Sequence, residues 1–276
     1  MKTRENPILE TCATMWLKYI QRRCTPQTSN YYADVMNRFM VQAPQKLSDL
    51  CSHHIEDYID SVLQTCAPRT ANTHLVVVKS FCRWLSARHG SPNVAEPVDK
   101  LRVAPVDPRV ISEEEYTLLI DGTAGPTRDA IQFLANTGLR RREFCNFTRA
   151  NIGPDCEYLS IVGKGRKQRI IPCNNVVREL LGKPENARSA PVFVRRYNQS
   201  IFALNWRFRS LANKFNIPCF GPHALRHYFA TRLMRLGVPI SKVSLILGHA
   251  SIRTTEQIYI HFVPADLIGV TDCLTA

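Results

Sequence analysis

The sequence predicts a mainly α-helical protein of two domains, with one small β-hairpin in the second domain. Apolar residues recur at helical spacing through roughly the first hundred positions. A stretch with four prolines, HGSPNVAEPVDKLRVAPVDPR at 89–109, then interrupts that period. Farther on, two short runs rich in β-branched residues flank a Gly-Lys-Gly-Arg turn. These features predict a helical domain at 1–92, a linker at 93–110 and a second domain at 111–276.

The first domain is predicted to be a bundle of four helices, each with one apolar stripe facing a shared core. The stripes are Ile8, Cys12, Met15, Trp16, Tyr19 and Ile20; Tyr32, Val35, Met36, Phe39 and Met40; Ile55, Tyr58, Ile59, Val62 and Leu63; and Leu75, Val78, Phe81, Cys82 and Leu85. Ser48 is placed to cap the start of the third helix.

The second domain is predicted to open with a helix capped by Ser112, because an acidic run favours a helix N-terminus. The segment EYLSIVGKGRKQRIIP then predicts a β-hairpin around Gly163–Arg166. Three further helices are expected at 176–181, at 201–215 and at His223–Leu236. The last of these should stop at Gly237, and Pro239 should open the next helix.

The charge is strongly basic and unevenly distributed. The net charge is +13, and residues 108–276 hold 23 basic and 13 acidic residues, against 13 and 10 in residues 1–107. Either this is a solvated basic face without further role, or the chain binds an anionic polymer. The concentration of charge in one half favours the polymer.

The ten cysteines are scattered and form no C-x-x-C pair, so neither a zinc ribbon nor a thioredoxin-type motif is indicated. The N-terminus does not resemble a secretory signal, and no apolar run is long enough to cross a membrane. We therefore expect reduced cysteines in a cytoplasmic protein without membrane contact.

The stretch HALRH at 223–227 places two histidines on one helix face, with an arginine between them. A helical zinc site of the H-E-x-x-H type needs a glutamate where this chain has Ala224. Arg226 would also repel a cation, whereas its planar fork of donors matches phosphate oxygens. Phosphate is therefore favoured over metal, although one arginine and one histidine on a helix are weak evidence alone.

Three other stretches strengthen the prediction of a phosphate-binding site. NTGLRRREF at 136–144 places Arg140 directly after a turn, and GKGRKQR at 163–169 places Lys164 at the hairpin tip. LGHASIRTTEQIYIHF at 247–262 supplies His249 and Tyr259. Arginines neutralise a phosphodiester, a tyrosine hydroxyl can attack phosphorus, and a lysine can protonate the leaving oxygen. Together these residues could transfer a phosphoryl group without a metal or other cofactor.

These boxes, in their order, resemble the tyrosine recombinases of the phage integrase family, including the Xer-type enzymes. The resemblance lies in TGLR-x-x-E, GKG-x-K-x-R, H-x-LRH and LGH…TT…IY, across about residues 111–262. It implies that the first domain is a helical core-binding domain for DNA and that the second is an integrase-type catalytic domain.

The resemblance also implies the roles of the residues. Tyr259 corresponds to the nucleophile that forms a 3′-phosphotyrosyl link, and Arg140 and Arg226 correspond to the pair that clamps the non-bridging oxygens. Lys164 corresponds to the general acid toward the 5′-oxygen.

The remaining matched positions imply supporting roles. His223 and His249 correspond to the histidines that hydrogen-bond the phosphate and help manage the tyrosine proton. Glu143 is interpreted as an orienting partner for a neighbouring basic group, and His227 as structural. The chain departs from the family by one extra residue between His249 and Tyr259.

The implied function is site-specific DNA recombination, in which DNA is integrated, excised or resolved. Double-stranded DNA, a homotetramer on synapsed DNA and accessory DNA-binding proteins are the implied partners, and the DNA-bound protein should associate with the nucleoid. Three alternatives remain at this point: a type IB topoisomerase, a DNA-binding regulator that no longer cuts, and, least favoured, a metal-dependent nuclease. Arg141, Arg142, Arg166 and Lys167 are either solvated charges or, as we favour, contacts to the DNA backbone.

Overall fold

A computed structural model of the chain describes residues 7–104, 108–163, 167–182 and 201–249, together with residues 251, 253 and 256. It divides into two compact units, Met1–Pro105 and Val106–Ala276. Across the described residues it is mainly helical with one two-stranded sheet, which confirms the predicted fold class.

The described part of the first unit contains four α-helices. They are α1 (Leu9–Gln21), α2 (Pro26–Met40), α3 (Ser52–Leu63) and α4 (Pro68–His89). Both α2 and α4 begin with proline, whose fixed φ suits the first helical position. Gly90 ends α4 in the left-handed conformation, with φ of 65°.

The core of the first unit is formed by most residues of the four predicted apolar stripes, whereas Ile8, Met15 and Tyr19 of the first stripe are exposed. Trp16 of α1 is completely buried, and its ring stacks on Tyr32 at 5.7 Å and packs against Phe81 at 5.4 Å. Val35, Met36, Ile55, Leu75 and Val78 are also fully buried. Burial of these side chains is the main source of stability for the bundle.

The expected cap of α3 is wrong. Ser48 lies in a short 3-10 helix, Leu47–Asp49, and α3 begins at Ser52 with Cys51 in the N-cap position. The backbone N–H of Cys51 donates to His54 Nδ1 at 3.3 Å, so a ring nitrogen at N3 accepts a hydrogen bond from the helix start. The extra turn before the helix displaces the serine from the place that spacing indicated.

The proline-rich stretch contains no regular helix within its described residues, yet part of it packs on the first unit. Ala95 and Val98 are buried in that unit's core. The Asn72 side chain donates to the Leu101 carbonyl and accepts from the Leu101 N–H, both at 2.9 Å. Residues 94–101 therefore belong structurally to the first unit.

The described part of the second unit contains seven α-helices and two strands. They are α5 (Glu113–Asp121), α6 (Gly125–Thr137), α7 (Arg141–Cys145), β1 (Tyr158–Val162), β2 (Gln168–Pro172), α8 (Asn175–Leu181), α9 (Ile201–Lys214), α10 (Pro222–Arg235) and α11 (Ile240–Leu247). Ser112 caps α5 as expected, in a capping box with Glu115. Pro239 stands one residue before α11.

The two β-rich runs form the predicted antiparallel strands, β1 and β2. The strands are antiparallel, with Tyr158 opposite Pro172 and Val162 opposite Gln168. Alternate residues, namely Leu159 and Ile161 on β1 and Arg169 and Ile171 on β2, are buried. One face of the hairpin therefore packs on the core of the second unit.

None of the described helices combines the length and apolarity needed to cross a bilayer. The nine cysteines in the described residues are all free thiols.

Candidate active site

Arg140 is held at the junction of two helices. Gly138 ends α6 with φ of 61°, and Arg140 then takes the N-cap position of α7. Its backbone N–H donates to Glu143 Oε2 at 2.8 Å, and its Nη1 donates to Glu143 Oε1 at 3.0 Å. The Arg140 side chain is 32% exposed, so the guanidinium is fixed but still accessible to a ligand.

Glu143 is the carboxylate that organises this corner. Its side chain is only 9% exposed, and it pairs with Arg169, whose Nη1 and Nη2 donate to Oε1 and Oε2 at 2.8 and 2.6 Å. Burial raises the pKa of the Glu143 carboxyl, but hydrogen bonds from Arg169 and Arg140 outweigh it and lower that pKa to about 2. The carboxylate is therefore ionised at any physiological pH, as its interpretation as an orienting partner requires.

Arg226 enters the same region from α10 and is almost completely buried, at 4% exposure. Its Nη1 donates to the Gly138 carbonyl and its Nη2 to the Leu247 carbonyl, both at 2.7 Å. The guanidinium thus links the end of α6 to the end of α11, and its plane is set by both.

Three arginines converge on the carboxyl end of α11. Arg169 Nε donates to the Ile246 carbonyl at 2.8 Å, and Arg140 Nη2 donates to the Gly248 carbonyl at 2.9 Å. With the bond from Arg226 to Leu247, three successive carbonyls each accept from a different arginine. The last carbonyls of a helix lack partners within it and carry partial negative charge, which explains why cations gather there.

The three site histidines have lowered pKa values. Burial and the charge of Arg226, with further charge from Arg141 and Arg140, lower the pKa of His223, although the residue as a whole is exposed. Burial, Arg226 and Arg140 lower the pKa of His249 to about 4. His223 lies about one turn before Arg226 on α10, and His249 follows Gly248, whose carbonyl accepts from Arg140. The lowered pKa values favour the neutral form of both rings at pH 7.

His227 lies one turn after His223 on α10 and is half-buried. Burial, followed by the charges of His223 and Arg226, lowers its pKa to about 4. It is therefore also neutral at pH 7.

The arrangement suits an anion. Within this cluster three guanidinium groups face one carboxylate, so the local charge is positive before a ligand arrives. A phosphodiester would supply the missing negative charge and acceptor oxygens. No cluster of three or more His, Cys, Asp or Glu side chains suited to a metal occurs in the described part of the chain.

The structure thus brings together four of the six predicted site residues: Arg140, His223, Arg226 and His249. Lys164 and Tyr259 lie outside the described residues. Arg169 was given no role from the sequence, although a signal was present, because strand alternation places it on the buried face beside Ile171. A charged residue on a buried strand face is rare unless it is paired.

Comparison with known proteins agrees with these features. The model of the phage integrase family matches residues 109–265. The chain is 27% identical to tyrosine recombinase XerC of Myxococcus xanthus over 264 residues, covering 86% of this chain and 88% of the relative. It is 30% identical to tyrosine recombinase XerD of Bifidobacterium longum over 246 residues, covering 78% of each.

The fold is also found among solved structures. The lambda integrase tetramer bound to a Holliday junction matches with a TM-score of 0.75 and 17% identity, covering 91% of this chain and 80% of that one.

Proposed function

Because the chain belongs to the phage integrase family of tyrosine recombinases, we propose that Tyr259 attacks a DNA phosphodiester held by Arg140 and Arg226. The chain is a site-specific recombinase that acts on DNA. The residues that perform each step, the covalent intermediate and the assembly on DNA are the parts that we propose.

The observation that carries the proposal is the position of the two arginines. They come from different elements, yet they donate to the neighbouring carbonyls of Leu247 and Gly248. Their guanidinium groups therefore lie at the same helix end. A phosphodiester has two non-bridging oxygens, and two adjacent guanidinium forks can bind both.

The neutral histidines support the same assignment. A neutral imidazole can donate a hydrogen bond to a phosphate oxygen or accept a proton, whereas an imidazolium can only donate. The low pKa of His249 describes the protein without DNA. A bound phosphate would raise that pKa, since an adjacent anion favours the protonated ring.

In the proposed step the Tyr259 oxygen forms a bond to phosphorus as the bond between phosphorus and the 5′-oxygen breaks. The products are a 3′-phosphotyrosyl link and a 5′-hydroxyl. Lys164 supplies the proton to the 5′-oxygen, and His223 and His249 help to take up the tyrosine proton. Attack by the 5′-hydroxyl of a partner strand reverses the step and joins the two DNAs. The phosphotyrosyl bond retains the energy of the phosphodiester, so ATP is not required. In the proposed step the arginines, and not a metal, neutralise the charge of the phosphate.

Double-stranded DNA is the proposed substrate, and a homotetramer is the proposed assembly on two synapsed duplexes. Lambda integrase, which shares the fold, forms a tetramer on a Holliday junction. Exchange between two duplexes cuts four strands in all, so four copies of the chain would each provide one nucleophile. We place the protein in the cytoplasm, associated with the nucleoid when bound to DNA, and accessory DNA-binding proteins fit the same scheme.

Covalent capture tests the proposal directly. The protein, in EDTA, is mixed with nicked duplexes tiled from the DNA that flanks its gene, and the products are separated in denaturant. We expect a protein–DNA adduct that forms with the unaltered chain and is lost in Tyr259→Phe.

Tyr158→Phe, in strand β1, is the matched control and should form the adduct normally. Specific DNA binding without an adduct would contradict the proposed chemistry and favour a regulator that no longer cuts. In that case the extra residue between His249 and Tyr259 would be the first feature to alter. Joining of two separate duplexes at a defined sequence would further separate recombination from topoisomerase activity.

A further inference from the structure

Arg169 stands at the centre of the arginine cluster, and nothing in the proposed reaction yet uses it. It lies on β2, and its side chain is 7% exposed. Each of its three nitrogens donates a hydrogen bond: Nε to the Ile246 carbonyl at 2.8 Å, and Nη1 and Nη2 to the two Glu143 oxygens at 2.8 and 2.6 Å. A buried guanidinium with all nitrogens engaged on two separate elements is rigidly placed.

The contact with Glu143 connects Arg169 to Arg140. Glu143 accepts from Arg169 on both oxygens and from Arg140 on both oxygens, through the Arg140 backbone N–H and Nη1. The carboxylate is therefore shared between two arginines. If Arg169 were removed, Glu143 would lose two of these four bonds and could rotate, and Arg140 would lose the partner that sets its direction.

The contact with the Ile246 carbonyl connects Arg169 to Arg226 and His249. Arg169 holds the Ile246 carbonyl, Arg226 holds the next carbonyl, Leu247, and His249 follows two residues later. The stem of Arg169 also packs on Gly248, where an added Cβ would lie 2.7 Å from Arg169 Cδ. The end of α11 thus rests on Arg169 through both a hydrogen bond and a close contact.

We infer that Arg169 is a positioning residue for phosphoryl transfer, which aligns Arg140 through Glu143 and holds the end of α11 that orients Arg226 and His249. This inference rests on the proposed function. Arg169 itself need not touch DNA. Its effect should appear in the chemical step, because a displacement of about 1 Å in a reacting group can cost about 100-fold in rate.

A purely structural role is the competing explanation, and Arg149 offers a matched control. Arg149 Nη1 donates to the Leu181 carbonyl at the end of α8, at 3.1 Å. It is thus another arginine that binds a helix-end carbonyl, and this hydrogen bond lies at the end of α8 and not at the end of α11. Arg149→Met removes a similar stabilising contact without disturbing the alignment of the cluster.

The first experiment compares Arg169→Met, Arg169→Lys and Arg149→Met on the nicked duplex that forms the adduct. We expect Arg169→Met to slow single-turnover adduct formation about 100-fold, while DNA affinity changes by less than about threefold. Arg149→Met should leave the rate unchanged. Arg169→Lys keeps the charge, but one ammonium cannot serve acceptors on two elements as a fork does, so it should also remain slow.

The pH dependence of the adduct rate provides a second readout that lost stability alone would not move. Without Arg169, burial of Glu143 is less opposed, so its carboxyl should take up a proton at a higher pH. The acid side of the rate profile should therefore move to higher pH in Arg169→Met. An unmoved profile, or a rate within about threefold of the unaltered protein in either Arg169 variant, would overturn the inference.

A third readout needs no reaction. The side-chain NMR signals of Arg140 and Arg226, recorded without DNA, should shift in Arg169→Met or Arg169→Lys and stay in place in Arg149→Met. Unshifted signals in folded Arg169 variants would refute the positioning role. If the unaltered protein forms no adduct, the proposed function fails, whereas the NMR comparison still decides whether Arg169 positions the cluster.

Discussion

At the scale of single residues, the site depends on arginines whose side chains are held by backbone carbonyls. Arg226 shows this most clearly, because it is nearly buried and donates to Gly138 and Leu247. A buried guanidinium is tolerated only when its donors have acceptors. The same two bonds that make its burial possible also fix the orientation of its guanidinium.

Arg226→Lys should therefore damage both stability and chemistry. A lysine ammonium can reach one of the two carbonyls but not both, so a buried acceptor loses its partner at a cost of about 1–3 kcal/mol. We expect a lower free energy of unfolding in denaturant titration and at least about 100-fold slower adduct formation. Arg232→Lys, an exposed position on the same helix, is the control. Equal adduct rates in the two variants would argue against the phosphate role of Arg226.

At the scale of elements, the carboxyl end of α11 is the feature around which the site is assembled. Three carbonyls at Ile246, Leu247 and Gly248 bind arginines from β2, α10 and the start of α7. The helix thus joins parts of the chain that are 77, 21 and 108 positions away from it. Gly248 allows this close approach, since its φ is 66° and its α-carbon faces the Arg169 stem.

Gly248→Ala tests that close approach. The left-handed conformation costs an alanine about 1–2 kcal/mol, and the new Cβ would in addition force Arg169 to move. Gly237→Ala is the matched control, because it has φ of 79° with nothing within 4 Å of an added Cβ. We expect both variants to lose stability and only Gly248→Ala to form the adduct slowly. Similar adduct rates in both would show that contact with Arg169 is unimportant.

At the scale of the whole molecule, positive charge favours binding of a polyanion and contributes, after burial, to acid sensitivity. The net charge of +13 favours binding of a polyanion. In the described site, burial first and nearby positive charge second lower the pKa values of His227 and His249. In the folded state their pKa values are about 4, below the ordinary value of 6.5. Folding is therefore opposed by protonation of these rings in acid.

The free energy of unfolding without DNA should fall as the pH is lowered from 6.5 to 4. In this range the histidines of the unfolded chain take up protons, whereas His227 and His249 of the folded chain remain neutral. A further loss should follow between pH 4.5 and about 2, where Glu143 contributes stability on the order of 3 kcal/mol that its protonation removes. Denaturant titrations across this range measure both steps.

Two substitutions test the assignment of the upper step to the site histidines. His249→Gln should flatten the upper step, whereas His53→Gln, at an exposed position in the first unit, should not. A stability that stays constant from pH 6.5 to 4 would contradict the lowered histidine pKa values.

Residue types and spacing were sufficient to predict much of the architecture. The four helices of the first unit, the Ser112 cap and the hairpin follow from local patterns, because periodicity and capping depend on neighbours a few residues away. The motifs also indicated Arg140, His223, Arg226 and His249, which the structure brings together. Ser48 was misassigned because spacing does not reveal the short 3-10 turn that precedes α3.

Only the tertiary structure showed how those residues are held. The pairing of Arg169 with Glu143, and the binding of three arginines from other elements to the end of α11, join segments that are far apart in sequence. No local pattern specifies such contacts. For the same reason the binding of Leu101 by Asn72 was not foreseen. The sequence by itself thus indicated which residues we propose to bind the phosphate. Long-range packing decided their orientation, because a guanidinium is oriented by whichever acceptors the fold brings to it.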